Sequence, residues 1–212
     1  MVDGSGAAGY AVIDTETTGF GRGDRVIEVG VVWLDQDLRV TAEWDTLIDP
    51  GQSLGPQHIH HIRPADVAGA PTFDQAAAPL VARLAGRVVV GHNVNFDLRM
   101  LNQEFERLQA GRPLGRSFSL DTLDWCRRLG LSPTSCYTLD HLCQVHRIER
   151  GAAHAALADA RATGRLLALV AGRLDGGSGP RQAWADRHQA ARRAAWPALP
   201  ELPFQRHSRC PA

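Results

Sequence analysis

The stretch Ala11-Val12-Ile13-Asp14-Thr15-Glu16-Thr17-Thr18-Gly19 decides how the rest of the chain is read. A short apolar run drives two carboxylates, two positions apart, into a turn rich in threonine and glycine. Side chains at i and i+2 of a strand project from one face, so Asp14 and Glu16 converge on one point. A second frame, Val88-Val89-Val90-Gly91-His92-Asn93-Val94-Asn95-Phe96-Asp97, repeats the buried-strand pattern, ends in a polar loop and delivers Asp97 to the start of a helix. A third, His154-Ala155-Ala156-Leu157-Ala158-Asp159-Ala160, opens a long helix of apolar periodicity. A helix advances about 100° per residue, so a gap of five separates His154 from Asp159 if both are helical. Asp159 is therefore read within the helix and His154 on the loop or first turn before it, giving one fixed carboxylate and one mobile base.

Taken singly, an Asp at a strand end or helix start is a cap or a solvated turn residue. Jointly, four acids are carried to places where apolar runs bring like charges together, at an energetic cost unless cations neutralise them. Hard cations take oxygen ligands. Hydrolysis of a phosphodiester needs a nucleophile made from water and charge stabilisation on the attacking and leaving oxygens, which two Mg²⁺ or Mn²⁺ ions about 3.5–4 Å apart supply.

The ordered set D-x-E-T-T-G, H-N-x-x-F-D and H-x-x-x-x-D, running from about Tyr10 to Arg173, resembles the DEDDh group of 3′→5′ exonucleases. That family includes the proofreading subunit of bacterial replicative polymerase, oligoribonuclease and ribonuclease T. The resemblance implies a ribonuclease H-like fold and release of nucleoside 5′-monophosphates from the 3′ ends of single-stranded DNA or RNA. It also implies a site with two Mg²⁺ or Mn²⁺ ions. Asp14 would bridge both, Glu16 and Asp159 would complete the position of the nucleophilic water, and Asp97 would support the second ion. His154 would be the general base, since an imidazole of pKa near about 6.5 is largely neutral at physiological pH. A catalytically silent nucleic-acid or replisome-binding module on the same fold is the alternative, and the intact quartet with His154 argues against it.

The same resemblance places Thr17 near the 3′-terminal sugar and Phe20 against the terminal base, where stacking is worth about 1–3 kcal/mol. Core packing of Phe20 is an equal expectation. Asn93, in the second frame, is a further expected substrate contact. The segment Gln57-His58-Ile59-His60-His61-Ile62-Arg63 resembles the family's H-G-I-T stretch that closes over the nucleotide, with His61 in place of glycine and Arg63 in place of threonine. His61 and Ile62 are read as lining the substrate groove.

A chain of 212 residues, 44% hydrophobic, supports one domain and an extension. No apolar run is long enough to span a bilayer and Met1–Gly6 lacks a signal-peptide pattern, so a cytoplasmic location without membrane partners is expected. Net charge is zero, which fits a grip on a few terminal nucleotides rather than a wrapped duplex. Every basic residue is arginine; the absence of lysine excludes Schiff-base and P-loop lysine chemistry. The four cysteines form no C-x-x-C pair. Cys143 and His146 have zinc-like spacing, although reduced thiols are the ordinary state in the cytosol.

Strands are expected at Tyr10–Asp14, Val26–Leu34, Arg39–Ile48, Val88–His92 and Ser117–Leu120. Helices are expected at Phe73–Ala85, Asp97–Gln109, Asp121–Leu129, Leu139–His146 and Ala155–Gly172. Three strands followed by alternating helices give an α/β architecture, a mixed five-stranded sheet with helices on both faces. Residues 1–8 read as a disordered N-terminus, 9–174 as the catalytic domain and 175–180 as a flexible linker. Residues 181–212 form an Arg-, Ala- and Pro-rich extension, with a helix at Arg181–Trp196. Its exposed apolar candidates Trp196, Leu199, Leu202 and Phe204 suggest a docking arm. Glu201-Leu202-Pro203-Phe204 faintly resembles a sliding-clamp-binding peptide, so a polymerase or clamp partner is one expectation and packing on the domain the other.

Overall fold

Strand β1 (Tyr10–Thr17) has no exposed surface at Ala11, Val12 or Ile13, because helices cover both faces of the sheet it centres. The computed structural model describes residues 9–151, 155–174 and 178–194. Strand β2 (Val26–Leu34) pairs antiparallel with β1, and β3 (Val40–Leu47) pairs antiparallel with β2. Strands β4 (Val88–Gly91) and β5 (Ser119–Asp121) add in parallel on the other side, giving the order β3-β2-β1-β4-β5. The expected mixed five-stranded sheet is present.

Two one-turn helices, α1 (Gln57–His60) and α2 (Pro64–Val67), precede α3 (Phe73–Leu84). Helix α4 (Val94–Arg107) follows β4, and a 3₁₀ turn (Arg116–Phe118) leads into β5. Helices α5 (Thr122–Arg128), α6 (Leu139–His146), α7 (Ala156–Leu174) and α8 (Ser178–Arg193) follow. Strand alternation sorts the layers. Thr15 reaches α4 and Trp33 donates its indole N–H to the Arg83 carbonyl at the end of α3, so odd residues of β1 and β2 face α3 and α4. Gly164 of α7 lies against Val12 and Leu34, so even residues face α7. Leu142, Leu166 and Val170 join Cys126 in a second apolar cluster that fixes α7 to α5 and α6. Among the described residues no helix is long and apolar enough to cross a membrane.

Several boundaries differ from the sequence expectation. Strand β1 runs on to Thr17, because Thr15 and Glu16 continue the ladder opposite Val29 and Glu28. Helix α4 starts three residues before Asp97. Asn93 turns the chain with a left-handed backbone (φ 71°, ψ 45°), and its N–H donates to Asp121 Oδ1 at 2.9 Å. The fifth strand begins at Ser119 because Arg116–Phe118 coils as 3₁₀. Helix α8 begins at Ser178, so the second half of the expected linker is helical. It lies on the 3₁₀ turn and on β4 and β5, with Ala191 almost fully buried and the His188 ring edge-on to Tyr10 at 4.8 Å. Residues 1–8, read as a disordered N-terminus, and Trp196, Leu199, Leu202 and Phe204 lie outside the described residues.

Candidate metal centre and active site

The even face of β1 presents Asp14 and Glu16 towards α7, as their spacing requires. Opposite them in the antiparallel register stand Gly30 and Glu28. A side chain at residue 30 is sterically excluded: a Cβ there would lie 2.4 Å from the Ala156 carbonyl carbon and the Leu157 nitrogen. The bare backbone lets the first turn of α7 rest on the sheet. Glu28 fastens it, accepting the Ala156 N–H at 3.0 Å. Asp159, on that turn, is thereby carried to β1, and one oxygen each of Asp14, Glu16 and Asp159 lie within 4.8 Å of one another. Asp97 comes from the opposite layer on α4, buried, and accepts the Thr15 hydroxyl at 2.8 Å. The site thus forms at the end of β1, where the two helical layers meet.

Crowding and burial set the electrostatics. Burial pushes the Asp14 carboxyl well above its usual range, and the charges of Asp97, Asp159 and Glu16 add to the shift against an opposing pull from Arg150. Glu16 is pushed up to about 7 by burial, then by Glu28, Asp159 and Asp97. Asp97 rises to about 7 because burial outweighs the stabilising Thr15 hydrogen bond. Glu28 is also raised, chiefly by burial. Carboxyls held this close favour protonation or a cation. Part of the compensation comes from the chain itself. Arg150 Nε and Nη2 donate to the two oxygens of Asp159 at 2.7 and 2.6 Å, and Nη1 donates to Asp140 at 3.3 Å. The donor set is entirely hard oxygen, which fits Mg²⁺ or Mn²⁺. Because Arg150 already holds Asp159, a cation binding that carboxylate must compete with a guanidinium.

His154, expected as the base, lies outside the described residues. Thr17 is buried and donates its hydroxyl to the Gly19 carbonyl at 2.8 Å, shaping the turn after β1. Phe20, just beyond, is 71% exposed, so its core-packing alternative is not realised. Its ring meets Phe96 edge-on at 5.7 Å, Arg99 lies over Phe96 at 5.2 Å, and Arg99 Nη1 donates to the Phe20 carbonyl at 3.0 Å. His61 is exposed and takes the left-handed backbone (φ 59°) that glycine adopts without strain, so the replacement leaves the turn in place at a conformational cost. Ile62, expected in the substrate groove, is packed with Ile27, Leu54 and Val67. His60 is buried: its Nδ1 accepts the Ile62 N–H, so Nε2 carries the proton given to the Leu54 carbonyl at 3.0 Å. That histidine holds the loop. Asn93 is exposed at the entrance to α4, one turn from Asp97. Cys143 is buried and His146 Nε2 bonds to the Leu131 carbonyl, so the zinc-like spacing assembles no site; the metal-ligand cluster among the described residues is the acidic one.

A family model described as an exonuclease matches residues 11–167. The chain belongs to the exonuclease family. This exonuclease is 33% identical over 157 residues to the DNA polymerase III subunit epsilon of Treponema pallidum, covering 72% of this chain and 71% of that one. It is 30% identical over 175 residues to the epsilon subunit of Buchnera aphidicola, covering 77% and 73%. The 3′-5′ exonuclease DinG of Staphylococcus haemolyticus is 28% identical over 165 residues, 76% of this chain and 18% of that one. E. coli exonuclease I in complex with a dT13 oligonucleotide superposes with a TM-score of 0.69 at 23% identity, over 82% of this exonuclease and 42% of that chain. At that identity the likeness shows the ribonuclease H-like fold. The chain is a 3′→5′ exonuclease, a hydrolase of phosphodiester bonds.

Sequence reasoning did not single out Glu28, Gly30, Arg150 or Arg99, and it used Phe96 only as a letter of the H-N-x-x-F-D frame. The pairing register that sets Glu28 and Gly30 beside the site has no local signature. Phe96 and Arg99 carried one, an aromatic and a cation at i and i+3 in the helix that delivers Asp97.

Proposed function

We propose that this exonuclease removes nucleotides one at a time from the 3′ end of single-stranded DNA, with Asp14, Glu16, Asp97 and Asp159 holding two Mg²⁺ or Mn²⁺ ions and His154 as general base. The convergence of Asp14, Glu16 and Asp159 within 4.8 Å, with Asp97 beside them, carries this reading. When bound, the ions supply activation of water and stabilisation of the leaving oxygen. The chain's own side chains do the rest. Thr15 holds the Asp97 carboxylate in place, and Glu28 anchors the turn that bears Asp159. Phe20, steadied by Phe96 and Arg99, offers an exposed ring face to the terminal base, a contact that tolerates any sequence. Thr17, at the end of β1, and Asn93, just after the parallel β4, border the same end of the sheet, and His61 is a further proposed substrate contact. His154, as the base, takes the proton of the attacking water. DNA is favoured over RNA by the relatives, two of which are named as subunits of a DNA polymerase. Those names also make a polymerase the proposed partner; the Glu201–Phe204 tail expected to dock it lies outside the described residues.

Incubation with matched 5′-labelled DNA and RNA oligonucleotides tests the reading. A ladder receding from the 3′ end of DNA, weak on RNA and absent in Asp14→Asn, is expected. A ladder on RNA alone would overturn the substrate. Activity of Asp14→Asn equal to the parent would remove the metal centre from the mechanism.

A further inference from the structure

Strand β5 is one edge of the sheet, and a cavity of about 460 Å³ runs beside it. We propose that this trough binds the phosphates and one base of the DNA strand upstream of the cleaved end; the proposal rests on the exonuclease reading above. Its near wall is Val94 and Asn95, in the same first turn of α4 that delivers Asp97, so a strand leaving the metal centre over that turn enters the trough directly. Three arginines line it from three different elements: Arg116 from the 3₁₀ turn, Arg128 from α5 and Arg187 from α8.

Two carboxylates, Asp121 and Asp124, also line the trough. Asp121 is held in place by its Oδ1, which accepts the N–H groups of Asn93 and Leu123 at 2.9 and 3.0 Å, and the three arginines outnumber the two carboxylates. Among the described residues neither Arg116 nor Arg128 has an ion-pair partner. Arg187 is pinned through Nη1 to the Arg116 and Ser117 carbonyls at 2.8 and 3.1 Å, which fixes its fork at the rim. Trp125, half-buried, adds an aromatic face with Arg128 over it at 5.5 Å. Cationic forks beside an aromatic plane match the two chemistries a single strand repeats, a phosphate and a π-face. Arg187 lies beyond residues 11–167, so the extension contributes to this site something the family match does not cover.

The test measures binding apart from cleavage. In an Asp14→Asn background, fluorescence anisotropy follows 5′-fluorescein oligothymidylates of increasing length, with Arg128→Gln and Arg187→Gln introduced separately and melting curves recorded for each. Affinity is expected to rise with length in the parent. Either substitution is expected to weaken the longest oligonucleotide on the order of tenfold and to lower the salt slope by about 0.7, the value for one phosphate contact on a single strand. Arg128, exposed and touching only a ring, keeps the test decisive should Arg187→Gln loosen α8. Length-independent affinity, or unchanged affinity and slope in a folded Arg128→Gln protein, would overturn the trough while a DNA ladder from the parent enzyme left the exonuclease reading standing. Loss of binding to an acidic peptide in Arg128→Gln, with oligonucleotide affinity intact, would make the trough a protein-docking site and equally overturn it.

Discussion

Arg150 supplies a positive charge to a cluster that otherwise holds only acids, with its side chain 12% exposed and that of Asp159 7% exposed. Breaking a buried pair leaves the surviving charge uncompensated, so Arg150→Gln should destabilise the metal-free protein by roughly 3 kcal/mol. Removing the competitor for Asp159 should also tighten Mg²⁺ or Mn²⁺ binding. Isothermal titration and melting curves check both; weaker metal binding in the variant would show that Arg150 organises the site instead of occupying it. A second expectation concerns pH. Glu16 and Asp97 titrate near about 7 in the fold, above the ordinary carboxylate values they regain on unfolding. The folded state therefore binds more protons than the unfolded one between those values, and stability falls as pH rises through this window. The melting temperature of the metal-free protein should decline from about pH 5 to about pH 8, and saturating divalent cation should flatten the decline; a flat metal-free profile would contradict the raised carboxyls. His154→Ala should lose about 10²–10⁴-fold in rate with metal affinity little changed, and wild-type turnover in that variant would remove it as base. The four acids were legible because they sit in three local frames, each an apolar run broken by carboxylate. Arg150 was not, since a pairing with Asp159 nine positions on follows no helical or strand periodicity.

Gly30 shows what an element demands of one residue. The N-terminus of α7 touches β2 so closely that a methyl group at residue 30 would overlap the Ala156 and Leu157 backbone. Gly30→Ala should push α7 outward, costing about 2 kcal/mol by overpacking. For a chain of this size that corresponds to a fall in melting temperature of roughly 4–8 °C. Because Asp159 moves with the helix, divalent-metal affinity should fall as well. A variant that melts lower yet binds metal normally would separate packing from ligand placement. Long elements were readable in advance: Val26–Leu34 and Leu139–His146 have the bounds their patterns give, as apolar alternation and apolar periodicity are local properties. Helices α1 and α2, of four residues each, are too short to show a period. The start of α4 depended on Asn93 accepting a left-handed backbone and on Asp121 holding its amide, a contact between two strand ends that pattern alone does not reveal.

At the scale of the molecule, α8 changes the reading of the extension. A glycine-rich segment before it suggested a free arm, yet α8 buries Ala191 and covers Tyr10, whose hydroxyl is pushed up to about 12 by burial. A chain ending at Leu174 should therefore melt below the full-length protein and, through the loss of Arg187, hold long single strands less tightly. Equal melting temperatures would restore the docking-arm view. The joining of β1 to α7 has one more consequence. Strand β1 carries Asp14 and Glu16 and is made early, whereas Asp159 is made after every strand of the sheet. At a synthesis rate of about 5–20 residues per second, the ribosome holds the growing polypeptide on the order of ten seconds between those events. Throughout that interval the nascent chain lacks the residue that closes the cluster. On the proposed metal centre, unfinished copies should not cut nucleic acid in the cell that makes them, and a product released before Asp159 should be inert towards it.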